Sequence, residues 1–253
     1  MMKLLKPSFV CLCVSLVSSA LAAPVNLSSW TAEGSGTWQL QNAPTNDSVL
    51  QTVNTVAPTV FFSGAAAQGA ALSGKIKVST TSDDDFIGFV LGYNAGELTS
   101  ASANYLLIDW KQASQVNGNC NGPAGLAISS VSGAMTTTGA WCHNGSVTQL
   151  QRAATLGSTG WVDNTEYTFD IAFTSTNVTV SVNGVEQLNV NGTFGDGGFG
   201  FYNYSQERVL YSAIEERQLP PNNQVPEPAG LALLGLAGLA AAASARFVHS
   251  KRV

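Results

Sequence analysis

Three carboxylates stand side by side at Asp83, Asp84 and Asp85, directly before the apolar run Phe86 to Tyr93. Adjacent carboxylates repel one another. A chain that keeps three together either leaves them in solvent as a polar turn or gives them a cation to hold. Calcium takes six to eight oxygens and is served by carboxylates clustered on a loop. Within the run, Asp84 and Asp85 are the favoured ligands. Alternate residues of an extended stretch face opposite ways, so the three cannot all point alike without a turn. A distant side chain such as Asp109 or Glu207 would complete the shell. The residues alone leave both readings open, the solvated turn and the calcium site.

Other chemistry is thinly supplied. Glycoside hydrolysis needs two carboxylates about 5–10 Å apart, and no E-x-D-x-E-like run occurs; Glu215 and Glu216 are adjacent and would face opposite sides of a strand. Between the two ends of the chain His143 is the single histidine, and no G-x-S-x-G elbow is present. The expectation is therefore a protein that is not an enzyme, with a glycoside hydrolase as the catalytic alternative. Trp110, Trp141 and Trp161 each offer a flat apolar face on which a sugar can stack; the competing role for each is core packing. Trp110 and Trp141 are the ligand-binding candidates. Cys120 and Cys142 are expected to form a disulfide in an oxidising compartment, as Cys11 and Cys13 fall in a segment that is removed. A metal site built from these two thiols and His143 falls short of four ligands.

Composition narrows the partners. Charged residues make up 11% of the 253, against about 25% in an average soluble domain. Between Ala23 and Gln224 six basic residues face fifteen acidic ones, a net of −9. A field of that sign argues against nucleic acid and acidic polymers as partners and favours cations.

The elements that must position these residues read as short strands. Apolar residues alternate or form short runs broken by Gly, Asn, Asp and Ser. Strands are predicted over 71–80, 86–93, 105–112, 125–131, 166–174, 178–182, 185–190, 198–204 and 209–214. Val178 to Val182 alternates and Val185 to Val190 returns, with Asn183-Gly184 between them as a two-residue hairpin turn. Phe86 to Tyr93 is apolar on both faces, with Phe86, Gly88, Val90 and Gly92 on one and Ile87, Phe89, Leu91 and Tyr93 on the other. Such a strand belongs in the middle of a sheet covered on both sides. Nine strands in about 200 residues predict an all-β fold, a two-sheet jelly-roll sandwich with a single core.

Both ends read as addresses. Lys3 and Lys6, the apolar run Phe9 to Val17 and Ala20-Leu21-Ala22 form a secretory signal over 1–22. The sandwich is expected over 23–219 and a Pro-rich linker over 220–228. At the end of that linker, Val225-Pro226-Glu227-Pro228 stands before an uncharged run, Ala229 to Ala245, and a basic end with Arg246, Lys251 and Arg252. As a helix the run would be about 25 Å long, and the positive-inside rule would keep its basic end in the cytoplasm. The segment 225–253 resembles the PEP-CTERM sorting signal of Gram-negative bacteria. That resemblance implies transient anchoring in the inner membrane by a hydrophobic sorting helix over 229–253, processing by an exosortase-type enzyme, and delivery to the cell envelope or the extracellular matrix.

Three blocks of the body carry a second resemblance. Asp83 to Tyr93, then Tyr105-Leu106-Leu107-Ile108-Asp109-Trp110-Lys111-Gln112, then Gly200 to Glu207, taken in order and spacing, are similar to the C-terminal domain of thrombospondins. The likeness extends loosely from Gly64 to Glu216. It implies a lectin-like, concanavalin A-type sandwich, calcium binding, for which the residues themselves offer Asp83, Asp84, Asp85 and Asp109, and a role in adhesion or matrix contacts through glycan or protein. The family's aspartate-rich calcium repeats are absent here, Asp109 stands where the family usually has an apolar residue, and the cysteine pair is outside its pattern. The expected function is thus an exported, non-catalytic, lectin-like and calcium-binding module. The alternative is a structural matrix protein without a specific ligand.

Overall fold

The computed structural model describes residues 21–220. The first twenty residues, the motif Val225-Pro226-Glu227-Pro228 and the apolar run after it lie outside these residues. In chain order the strands are β1 (Ala23–Pro24), β2 (Thr31–Gly34), β3 (Trp38–Gln41), β4 (Ser48–Gln51), β5 (Thr59–Phe62), β6 (Ala70–Val78), β7 (Phe86–Tyr93), β8 (Asn104–Lys111), β9 (Gln115–Asn117), β10 (Cys120–Gly122), β11 (Gly125–Ser132), β12 (Val147–Arg152), β13 (Glu166–Phe173), β14 (Asn177–Val182), β15 (Val185–Asn191), β16 (Gly198–Tyr204) and β17 (Val209–Gln218). One short helix, α1 (Thr137–Cys142), precedes β12. Among the described residues no helix is long and apolar enough to cross a membrane.

The strands form two large antiparallel sheets and one small hairpin. One sheet has the order β15-β14-β13-β6-β17-β4-β3, with β1 pairing to β17; the other has the order β12-β11-β8-β7-β16-β5-β2; β9 pairs with β10. Non-sequential neighbours such as β6 and β17, or β7 and β16, make the jelly-roll weave that the strand pattern predicted. The core between the sheets takes Ile76, Phe169, Ile171 and Val180 from the first and Ile87, Phe89, Ile108 and Phe201 from the second.

The two sheets treat their outer faces differently. In β14, Val178, Val180 and Val182 are buried while Thr179 and Ser181 are half-exposed, the alternation of a sheet with one face in water. That open face carries Lys75–Glu166 at 2.8 Å and a two-pronged Arg217–Asp170 pair at 2.6 and 3.0 Å. In the other, covered sheet, β7 and β16 are buried at every position. A second apolar cluster lies on its outer face, where Phe86, Tyr105, Leu107 and Tyr202 are roofed by Leu98, Ala140 and Trp141.

Turn chemistry fixes the local geometry. Asn183 and Gly184 have φ of 49° and 75°, the pair of positive values that a two-residue hairpin turn requires. Gly92 at φ 70° sits where the β7–β16 register slips by one residue. The slip sends Tyr93 to the outer face, not to the core face that plain alternation predicted. There its ring meets Phe62 and Tyr105 with centroids 4.8 and 5.0 Å away. Its hydroxyl donates to Glu33 Oε2 at 2.6 Å. A polar tie joins the two sheets: the Tyr211 hydroxyl of β17 accepts from the Gly88 N–H at 3.2 Å and lies 2.9 Å from the Tyr202 carbonyl.

Candidate metal and ligand site

Asp83, Asp84 and Asp85 occupy the loop that enters β7, and four other connections converge on them. Asn54, from the β4–β5 connection, donates its amide to Asp83 Oδ2. The Asp84 N–H donates to Asp83 Oδ1 at 3.1 Å. The carbonyl of Asp84 accepts from the N–H groups of Gln112 and Ala113 at 3.1 and 3.3 Å, just past β8. The Asp85 N–H donates to Gln206 Oε1 at 3.0 Å, from the β16–β17 turn, and the Asp85 carbonyl accepts from Trp161 Nε1 at 3.0 Å. These contacts bend the run, so each carboxylate offers one oxygen within 4.8 Å of the others.

The chain also brings a cation of its own. Lys111, with 1% of its side chain exposed, directs Nζ at Asp85 Oδ1. The same ammonium reaches Gln115 Oε1 at 2.8 Å and the Asp84 carbonyl at 3.3 Å. It sits 4.9 Å from the centre of the Phe86 ring and 4.5 Å from that of Trp141. An ammonium removed from water needs this many partners. Asp84 Oδ1 stands 3.9 Å from it and, although buried, has no hydrogen-bond partner among the described residues.

Three carboxylates against one ammonium leave two negative charges uncompensated. Burial and then repulsion from Asp85 push the Asp83 carboxyl up to about 6. Burial raises Asp84 as well, against the pull of Lys111, and Asp85 adds to the rise. Carboxylates held in this state are the ones a divalent cation would relieve. The donor set fits calcium at Asp83 and Asp84, whereas Asp85 is engaged by Lys111.

Asp109 is placed elsewhere. It is 1% exposed on the outer face of the covered sheet, and its Oδ2 lies 2.7 Å from His143 Nε2. It is not among the three clustered carboxylates, which corrects its expected place in a calcium shell. Burial works against charge on His143, but the Asp109 carboxylate and its hydrogen bond outweigh that and raise the imidazole above its ordinary value. His143 caps α1 in the left-handed region, with φ 48° and ψ 56°. Thus three consecutive residues fasten α1 and its cap as a flap over the outer face of the covered sheet: Trp141 lies against Lys111, Phe86 and Tyr204, Cys142 is disulfide-bonded to Cys120 across a Cα–Cα distance of 5.8 Å, and His143 meets Asp109.

The sequence model of the thrombospondin C-terminal region matches residues 33–218. The chain belongs to this family. The match begins well before the aspartate run and takes in the end of β2 and all of β3 to β5, which the motif blocks left out. No curated protein sequence matches the chain. Among solved structures, a carbohydrate-binding module of type 66 from Bacillus subtilis superposes with a TM-score of 0.54 at 10% identity, covering 76% of this chain and 98% of that one. The Emp46p carbohydrate recognition domain in its metal-free form gives 0.51 at 8% identity, covering 77% and 90%. The VIP36 exoplasmic/lumenal domain in its Ca2+/Man3GlcNAc-bound form gives 0.50 at 14% identity, covering 81% and 91%. At these identities the likeness is one of fold: a lectin-like sandwich.

In this thrombospondin C-terminal region the tryptophans expected to stack on sugars serve the interior. Trp110 lies in the inter-sheet core, edge-on to Tyr167 at 4.8 Å, and donates Nε1 to the Thr159 carbonyl at 2.8 Å. Trp141 is 7% exposed, with Lys111 over its ring and two aromatic rings at its sides. Neither keeps a free face, so both ligand-binding expectations are corrected to packing. Trp161 is buried likewise. The residues that sequence reasoning missed are Lys111 and His143 as partners of Asp85 and Asp109. The available signal was the isolation of each charge: a lysine and an aspartate inside an apolar strand cannot be buried alone.

Proposed function

We propose that this chain is an exported, non-catalytic, lectin-like module that binds calcium through Asp83 and Asp84 and recognises glycan in the bacterial envelope or extracellular matrix. The observation that carries this reading is the charge balance at the loop end of the sandwich, two carboxylates in excess of the single buried ammonium. Calcium bound there would supply charge neutralisation and would fix the entry loop of β7; Asp85, held by Lys111, keeps that loop attached to the covered sheet. The glycan assignment is supported by the fold neighbours, a carbohydrate-binding module, a carbohydrate recognition domain and a Man3GlcNAc-bound domain. The Cys120–Cys142 bridge fits an oxidising compartment, in keeping with a cleaved signal over 1–22, the sandwich over 23–219, and a sorting tail read by an exosortase-type partner.

Calorimetric titration of chelator-treated protein tests the metal. Calcium should bind at about 10⁻⁴–10⁻³ M, as in other extracellular modules. At a tenfold excess over the dissociation constant it should add about 1.4 kcal/mol of stability. Asp83→Asn with Asp84→Asn should abolish both effects. A glycan array with and without chelator tests the ligand. Unchanged melting in calcium, with no glycan retained, removes the proposal.

A further inference from the structure

At the far end of β7 from the aspartates the sandwich does not close. β7 has eight residues, so this end lies about 25 Å from the metal-binding loop. A cleft of about 230 Å³ opens there between the end of the covered sheet and the Asn191–Gly195 loop after β15. Its origin is visible in the strands. The inward row of β8 runs Trp110, Ile108, Leu106 and then Asn104; the inward row of β11 runs Leu126, Ile128 and then Ser130. The apolar core thus turns polar at the last position of both rows, where the two sheets diverge.

Three observations give the cleft a chemistry. First, the side chains of Asn104, Ser130 and Thr193 make no hydrogen bond among the described residues, so their donors and acceptors remain free. The Asn191 amide accepts from Asn177 at 3.0 Å and keeps its own N–H₂ available. Second, an apolar side faces these groups, formed by Leu150, 43% exposed, and Phe194. Third, no lining residue bears a charge.

The cleft is also built in advance. The Gly192 and Phe194 N–H groups donate to the carbonyls of Thr176 and Ser175, both at 3.0 Å, and the Phe194 carbonyl accepts from Gln68 Nε2 at 2.8 Å. A Cβ on Gly192 would stand 2.7 Å from the Phe194 ring, so that glycine seats the ring against the loop. Clefts that take drug-sized molecules run to about 300–1,000 Å³; this one is smaller and suits a single ring.

We propose that this cleft is a second, calcium-independent binding site for one neutral glycosyl unit, its hydroxyls met by Asn104, Ser130 and Thr193 and its apolar face set against Phe194 and Leu150. A neutral sugar ring joins polar hydroxyls with an apolar face, and the absence of charge disfavours uronic or sialic acids.

The test is an amide-shift titration of the isotopically labelled full chain with methyl glycosides of glucose, galactose, mannose and xylose, and with glucuronate, all in chelator. The expected result is saturable movement of the Asn104, Gly192 and Gly195 amides with a dissociation constant of about 1 mM. Asn104→Ala and Phe194→Ala should each weaken it about tenfold. Thr193→Val, which keeps the side-chain shape, should weaken it too, whereas Lys75→Ala on the open face should bind as the parent does. Unmoved cleft amides with every neutral sugar, or full binding by Asn104→Ala and Thr193→Val, overturn the proposal. A parallel titration in calcium that moves only the Asp83–Asp85 loop overturns it too, and leaves the calcium-dependent reading standing. Loss of calcium binding with cleft shifts intact has the opposite meaning.

Discussion

Replacing Lys111 by Met keeps the length and apolar stem of the side chain and deletes only the ammonium. Asp85 is then left with 6% of its side chain exposed and, among the described residues, no counter-charge, and Asp84 loses the ammonium that stands 3.9 Å from its Oδ1. Removing one partner of a buried pair costs about 3–5 kcal/mol. Loss of the ring contacts to Phe86 and Trp141 adds to this. For a domain of this size about 2–4 °C of melting temperature accompanies each kcal/mol, so Lys111→Met should melt roughly 6–20 °C lower in chelator. Replacing both charges, Lys111→Met with Asp85→Leu, should recover most of the loss, because an apolar pair of similar volume fills the same space at little cost. Calcium adds a second axis. The single variant carries three uncompensated carboxylates, so saturating calcium should stabilise it more than it stabilises the parent. Thermal and urea unfolding of the parent, the single and the double variant, with and without calcium, read all of this. A loss below about 1 kcal/mol, or a double variant no better than the single one, would refute the claim that the aspartate run is organised around an internal ammonium.

The flap gives two further predictions. His143 binds its proton more tightly folded than unfolded, so its contribution is complete below its ordinary value of 6.5 and is lost as pH rises through the higher folded value. Amide exchange at Trp141, Cys142 and His143 should accelerate across that window, and Asp109→Asn should move the acceleration to lower pH. Cys120 and Cys142 are 22 residues apart in sequence; reduction, or Cys120→Ser with Cys142→Ser, should cost about 3 kcal/mol in denaturant unfolding by the loop-entropy model. A reduced protein of unchanged stability would show that the pairing adds nothing to the flap.

Much of the architecture was legible because β-structure writes its period into local composition. β7 and β16 begin and end where their apolar runs do, and Asn183-Gly184 announced the hairpin between β14 and β15. The short strands β2 to β5 were not legible. Four residues carry too little alternation, and these strands exist because neighbours supply their ladders. α1 was missed for a related reason: six residues show no helical period, and its stability comes from the Thr136 side chain accepting at the Gly139 N–H, 2.9 Å away, and from burial of Ala140 and Trp141. The two tryptophan expectations failed because a flat apolar side chain looks the same in sequence whether it meets a sugar or a neighbouring ring.

Taken by itself, the sequence determined the two-sheet sandwich, the pairing of Cys120 with Cys142 and the clustering of three acids at the mouth of a central strand, since period, thiol spacing and adjacency are local properties. Tertiary structure alone decided which charge meets which. Lys111 follows Asp85 by 26 residues and His143 follows Asp109 by 34; no pattern in the chain joins them, and only strand register and the folding of the flap bring each ammonium or imidazole to its carboxylate. The same register turned Asn104 and Ser130 into the polar lip of a cleft, because where the two sheets part is a property of their twist and packing, not of any single strand.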